Sequence, residues 1–173
     1  PSATGTWAWR VEGHHLSLNI TVVEGRLMAD APRFLGANPA EVHHGDMAGI
    51  RVLQKEEDLA RVLVRSLDEG QRAQAVFNSR AYREIVTGNS AAVDPLVPEG
   101  IPATNLRPSQ QADLYELIEI YAAVMPDEIA RQRMARVEKA PAEKLFFGWA
   151  GSLNPGEPHY YRIQGPDFLI EYD

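Results

Sequence analysis

The chain has 173 residues, a formal net charge of −7, 45% hydrophobic and 24% charged residues, and no cysteine. Such a length and composition fit one globular domain able to bury a core. The acidic balance, with no Lys/Arg cluster, argues against nucleic acid or an anionic membrane as a partner. No apolar run approaches the ~20 residues of a membrane span. Residues 1–6 have neither a charged nor an apolar leader pattern, so no targeting segment is visible. Without cysteine, disulfides, thiolate metal sites, iron–sulfur clusters and cysteine nucleophiles are excluded, and any metal must be held by His, Asp, Glu or carbonyl oxygen. The compartment stays open.

In chain order, Leu16, Leu18, Ile20 and Val22 alternate with His15, Ser17, Asn19 and Thr21, the period of two of a half-buried strand. Glu24-Gly25 signals a turn, and residues 26–31 read as a returning strand before Pro32. Residues 34–40 and 43–46 are loop-like, and 50–53 suit a short strand. Residues 55–67 carry Leu59, Val62, Leu63 and Ser66 at helical spacing, with Glu56, Glu57 and Asp58 in the first turn. A second helix is expected over 71–82. Residues 86–108 are rich in Gly and Pro and read as a long surface loop or lid. Ser109 is the expected cap of a helix running to Met125, on which Leu114, Leu117, Ile118 and Tyr121 share one face. Asp127 is expected to cap a helix through Glu138, stopped by Pro141. Strands are expected at 145–150, 159–164 and 168–173. The reading is an α+β fold in one domain over 1–173, its antiparallel sheet built from N- and C-terminal strands with helices inserted between.

The run Trp7-Ala-Trp-Arg-Val-Glu-Gly-His-His-Leu-Ser-Leu-Asn19 concentrates aromatics, an arginine, a carboxylate and paired imidazoles. Its apolar residues are odd before Gly13 (Trp7, Trp9, Val11) and even after it. A one-residue bulge at Gly13 reconciles the two halves and sets Arg10, Glu12, His15, Ser17 and Asn19 on one polar face. In a regular strand His14 and His15 point to opposite faces; a bulge re-aims His14 toward the same site. An ordinary strand with no site is the competing reading.

At the other end, Gly165-Pro-Asp167 suggests a three-residue hairpin loop pairing Gln164 with Phe168. That register places His159 opposite Asp173 and Tyr161 opposite Glu171, either a site or a surface cross-strand pair. His43-His44, beside Gly45 and Asp46, reads as a solvated loop pair. No phosphate-binding or nucleophile-elbow motif is present.

These motifs, with Phe34-Leu-Gly-Ala-Asn-Pro-Ala40, Pro158-His-Tyr-Tyr-Arg-Ile-Gln-Gly-Pro166 and Phe168-Leu-Ile-Glu-Tyr-Asp173, resemble a largely bacterial family known as domain of unknown function 3500. The resemblance spans essentially the whole chain and implies no established reaction. It groups Glu12, His14, His15 and His159 in one site. Family members carry an additional helical stretch before this region and an Asn-rich segment with a His-x-His motif after it. The chain is therefore expected to be the middle of a longer protein, with the remainder of that chain as a partner.

Two function classes follow. In the first, a divalent ion (zinc, iron, manganese or copper) is held by His15 and His159, with His14 as a further ligand and a carboxylate from Glu12, Glu171 or Asp173. Glu12 or Tyr161 then moves a proton and Arg10 or Arg162 holds an anionic group of a small-molecule or peptide substrate. In the second, the chain is a metal-free module that recognises a small molecule or peptide through Trp, Tyr and Arg, or an assembly domain. The sharpest geometric expectation is that His15 and His159 meet.

Overall fold

The structure, a computed structural model, describes residues 2–90 and 96–173. It is α+β, with four N-terminal strands, then helices interrupted by two short strands, then three closing strands. The described residues group into two compact units, 2–53 and 54–90 with 96–173. The N- and C-terminal strands do not share a sheet as expected; each set forms its own.

In the first unit, β1 (Thr6–Gly13) and β2 (Leu16–Val23) form an antiparallel hairpin closed by His14-His15 alone. The single bulged strand expected over residues 7–22 is thus two strands, and Gly13 is paired with Leu16 rather than bulged. Trp7 opposes Val22, Trp9 opposes Ile20 and Val11 opposes Leu18, so odd residues of β1 share a face with even residues of β2. The two-residue turn explains the parity switch without any irregularity. Glu24 and Gly25, at φ 48° and 74°, make the mirror-image turn that suits hairpin twist. They lead into β3 (Arg26–Ala29), where Met28 is an extra residue against β2. β4 (Arg33–Leu35) continues that edge along the other half of β2. The strand expected at 50–53 is reduced to an isolated bridge between Arg51 and Glu41.

The second unit begins with α1 (Gln54–Ser66), acidic in its first turn and basic in its last, as the helix dipole favours. It buries Ala60, Arg61, Leu63 and Val64, while Val62 is exposed. α2 (Glu69–Ala75) starts from a capping box: Asp68 Oδ1 accepts from Gln71 N at 2.9 Å and Gln71 Oε1 from Asp68 N at 3.1 Å. It stops earlier than expected, because Val76–Asn78 (β5) is drawn into a sheet, parallel to a later strand. β6 (Ile101–Pro102) follows, then α3 (Pro108–Ala122), whose first-turn residue is Pro108 and whose N-cap is Arg107 rather than Ser109. Gln110 Oε1 accepts from Arg107 N at 2.8 Å and also from Gln71 Nε2 at 2.9 Å, joining two helix starts. α4 (Asp127–Lys139) follows Pro126.

Three strands close the chain: β7 (Phe146–Gly151), β8 (His159–Gln164) and β9 (Leu169–Tyr172). The order is β5-β7-β8-β9, with β6 sharing the β5 edge of β7. The apolar cluster runs between this sheet and the helices, with Leu63, Leu114, Leu117, Phe147, Trp149 and Ile163 fully buried. Of the loop expected over 86–108, residues 91–95 lie outside the described residues; Glu99 N is tied to Gln164 Oε1 at 3.1 Å. No helix among the described residues is long and apolar enough to cross a membrane.

Candidate functional site

A two-residue turn cancels the alternation of a strand, so neighbouring residues need not point to opposite faces. At the hairpin tip this sets the His14 and His15 rings side by side, with centroids 4.5 Å apart and planes inclined at 70°. Both are exposed. Two imidazoles sharing one ion, with nitrogens ~2.0–2.1 Å from it, have centroids about 5.2 Å apart at a tetrahedral angle and about 4.5 Å apart at a right angle. The pair is an edge-to-face ring contact at the short end of that range. The Phe34-Leu-Gly36 motif buttresses it: Gly36 N donates to His15 O at 3.0 Å, and a Cβ at Gly36 would lie 2.9 Å from Phe34 Cζ and 3.3 Å from His15 Nδ1. Behind the tip, Glu12 opposes Ser17 and Arg10 opposes Asn19. Arg10 Nη1 and Glu12 Oε1 form an exposed ion pair at 3.4 Å. Asn19 Nδ2 donates to Ser17 Oγ at 3.2 Å and to Pro32 O at 2.8 Å. His43 and His44 are exposed, with centroids 6.4 Å apart.

In the second unit the closing hairpin has one more loop residue than expected. Gln164 pairs with Leu169, Arg162 with Glu171 and Tyr161 with Tyr172. The expected oppositions of His159 to Asp173 and Tyr161 to Glu171 are therefore replaced. The cause is Phe168, whose ring folds over Gly165, where a Cβ would lie 2.2 Å from Phe168 Cε1. The shift puts Tyr172 instead of Glu171 beside Tyr161. His159 stacks on Trp149 (4.9 Å, 13°) and on Tyr172 (5.5 Å, 23°), and Tyr161 stacks on Tyr172 (5.1 Å, 6°).

Above this aromatic face lies Arg61, its guanidinium carbon 5.7 Å from the Trp149 ring centroid. Its Nη2 meets Glu57 Oε1 at 2.7 Å and His159 Nδ1 at 3.4 Å, while Nη1 donates to Asn154 O at 2.9 Å. His159 Nδ1 also lies 3.2 Å from Glu157 O. The Tyr161 hydroxyl donates to Glu56 O at 3.1 Å and meets Tyr121 Oη at 2.5 Å. Burial, then the neighbouring Tyr121, pushes it well above the ordinary phenol range. At neutral pH it is a fixed donor.

The opposite face of the same sheet carries Tyr160, Arg162 and Glu171. Glu171 accepts from Tyr160 Oη and Val86 N, both at 2.7 Å, and from Thr87 N at 3.2 Å. Burial, then that carboxylate, raises Tyr160 strongly. Arg162 Nη2 meets Glu99 Oε2 at 2.6 Å and donates to Val97 O at 3.2 Å.

Of the expected site residues, Arg10, Glu12, His14 and His15 thus belong to one hairpin. His159 and Tyr161 belong to the second unit on one face of its sheet, and Arg162 to the other face. Among the described residues no group of three or more His, Asp or Glu is arranged to hold an ion. Sequence reasoning missed Arg61, Glu57 and Glu99. The available signal was the i,i+4 spacing of Glu57 and Arg61 beside the Ala60–Val64 stripe.

Over residues 1–173 the chain matches the family described as "Protein of unknown function (DUF3500)", and it belongs to that family. No curated protein and no solved structure matches it.

Proposed function

We propose that this chain binds a divalent transition metal at the tip of its N-terminal hairpin, with His14 and His15 as the two protein ligands. The observation that supports this reading is the spacing of the two rings, 4.5 Å between centroids on exposed, adjacent residues. Two imidazole nitrogens suit zinc, copper, iron or manganese and leave the remaining positions to water or to an oxygen of a small molecule or peptide. Such an ion polarises a bound carbonyl and acidifies a bound water, the two ways in which it would support chemistry. The reading takes its ligands from one unit and asks nothing of His159. It is tested by dialysing the protein against zinc or cobalt and measuring bound metal in the wild type, His14→Ala, His15→Ala and His159→Ala. One ion per chain, lost in either hairpin variant and retained in His159→Ala, is expected. Full retention in both hairpin variants would contradict it.

A second reading, a metal-free module for a small molecule or peptide, draws support from another observation. In the second unit the buried Trp149 Nε1 and Arg61 Nε have no hydrogen-bond acceptor among the described residues, although buried donors are normally paired. A ligand carrying a carboxylate or carbonyl would supply one. Ligand-induced thermal stabilisation that persists in chelator and disappears in Arg61→Met favours this reading over the first.

A further inference from the structure

We propose that the outer edge of β1 docks a second copy of this chain, the two β1 strands pairing antiparallel about Val11. Among the described strands β1 pairs only with β2, and seven of its eight residues are exposed, Trp9 by 45% and Val11 by 47%. In a hairpin closed by two residues, the pair flanking the turn, here Gly13 and Leu16, exchanges hydrogen bonds. The odd residues of β1 therefore bond to β2, and Thr6, Ala8, Arg10 and Glu12 turn their N–H and C=O outward. A long exposed edge of this kind is a template for another strand.

Self-complementarity selects the occupant. The apolar row Trp7, Trp9, Val11 stays on one face across both copies only if odd residues oppose odd residues. Centred on Arg10, that arrangement sets two guanidiniums against each other. Centred on Trp9, it leaves both charges opposite uncharged residues. Centred on Val11, it sets each Arg10 against Glu12 of the second copy, twice, with their outward backbone groups paired. Opposite charges directly across a strand pair are favourable.

The same register lays each Trp9 across Gly13 of the other copy. Nothing inside the hairpin demands glycine there: its φ is not positive, and an added Cβ would meet only Leu16 Cβ, at 3.9 Å. An aromatic ring covering an edge glycine is a recognised device of strand pairing, and it gives Gly13 a reason.

The inference is independent of the metal reading, since the ladder from Trp9 to Gly13 uses no imidazole nitrogen, although the same register sets His14 opposite Ala8 of the second copy. Sedimentation equilibrium over a concentration series is expected to show a monomer–dimer equilibrium. Arg10→Glu and Glu12→Arg should each raise the dissociation constant about tenfold, as two attractive cross-strand pairs become repulsive. Combining the two should restore association. Because the chain has no cysteine, Val11→Cys introduces one thiol, which the register sets against its own copy about 4.5 Å away between Cα atoms, within disulfide reach. Mild oxidation should link Val11→Cys and not Trp9→Cys. A monomer at every concentration would overturn the proposal. So would single charge variants that associate like the wild type, a double variant no tighter than the singles, or preferential linking of Trp9→Cys.

Discussion

The two units differ most in what they do with their apolar side chains. In the second, sheet and helices enclose a continuous cluster, and Trp149, Phe147 and Leu114 are fully buried. In the first, Val22 is the one buried apolar residue among those described, and Trp9, Val11, Met28 and Phe34 stay substantially exposed. Since apolar burial supplies most of the driving force for folding, stability is concentrated in the second unit. The first leaves an imidazole pair exposed and, among the described strands, the outer edge of β1 unpaired. The arginines show the same contrast. Arg61 is buried against Glu57 and Trp149, whereas Arg10 meets Glu12 in solvent.

That contrast breaks first if equivalent truncations cost the same in both units. Trp149→Ala is expected to lose about 3–5 kcal/mol in urea unfolding, and Trp9→Ala about 1 kcal/mol or less. The buried ion pair gives the next effect. Arg61→Ala removes the guanidinium from the partly buried Glu57 carboxylate and should cost about 3 kcal/mol, while Glu57→Leu with Arg61→Met should recover much of it, because the desolvated charge is removed together with the arginine. The same paired replacement of Arg10 and Glu12 should leave unfolding within about 0.5 kcal/mol of wild type. Glu171→Gln is smaller, about 1–3 kcal/mol, since an amide cannot accept from all of the donors at Val86, Thr87 and Tyr160. Amide exchange at Val86 and Thr87 should quicken in that variant.

Glu157 gives the finest test. Hydrogen bonds from Ser152 and Asn154 hold its carboxyl below the ordinary carboxylate range. The associated stability is present above the unfolded carboxyl value of about 4.3 and is lost as pH falls through the lowered folded value. Glu157→Gln should therefore flatten the acid limb of a stability–pH curve, lowering stability slightly at neutral pH and leaving it unchanged below the folded carboxyl value.

Regular elements were legible where pattern and packing agree. The strand at residues 159–164 has the bounds of β8, Glu24-Gly25 is the turn it resembles, and the Leu114–Tyr121 face lies on α3. The turn at His14-His15 was not legible, because neither residue takes a positive φ and neither carries turn chemistry. The parity switch at Gly13 was its trace, read as a bulge although a hairpin produces it equally well. Val76–Asn78 falls inside the helix expected over 71–82 because its pairing with β7 is a tertiary effect that local propensity cannot show. The closing register slipped by one because Phe168 packs back on Gly165, a contact with no periodicity to announce it. Of the candidate site, the hairpin residues were visible as a motif. The Arg61–Glu57 pair was not, because a charged pair on a helix usually reads as solvated.

The most direct measurement is a zinc titration followed by NMR of the histidine rings and tryptophan indoles. Stoichiometric zinc should shift the His14 and His15 ring resonances and the amides of Gly13 and Leu16, leaving the His159 ring and the Trp149 indole N–H in place. Shifts at His159 and Trp149, with the hairpin resonances unmoved, would contradict the assignment of metal binding to the first unit.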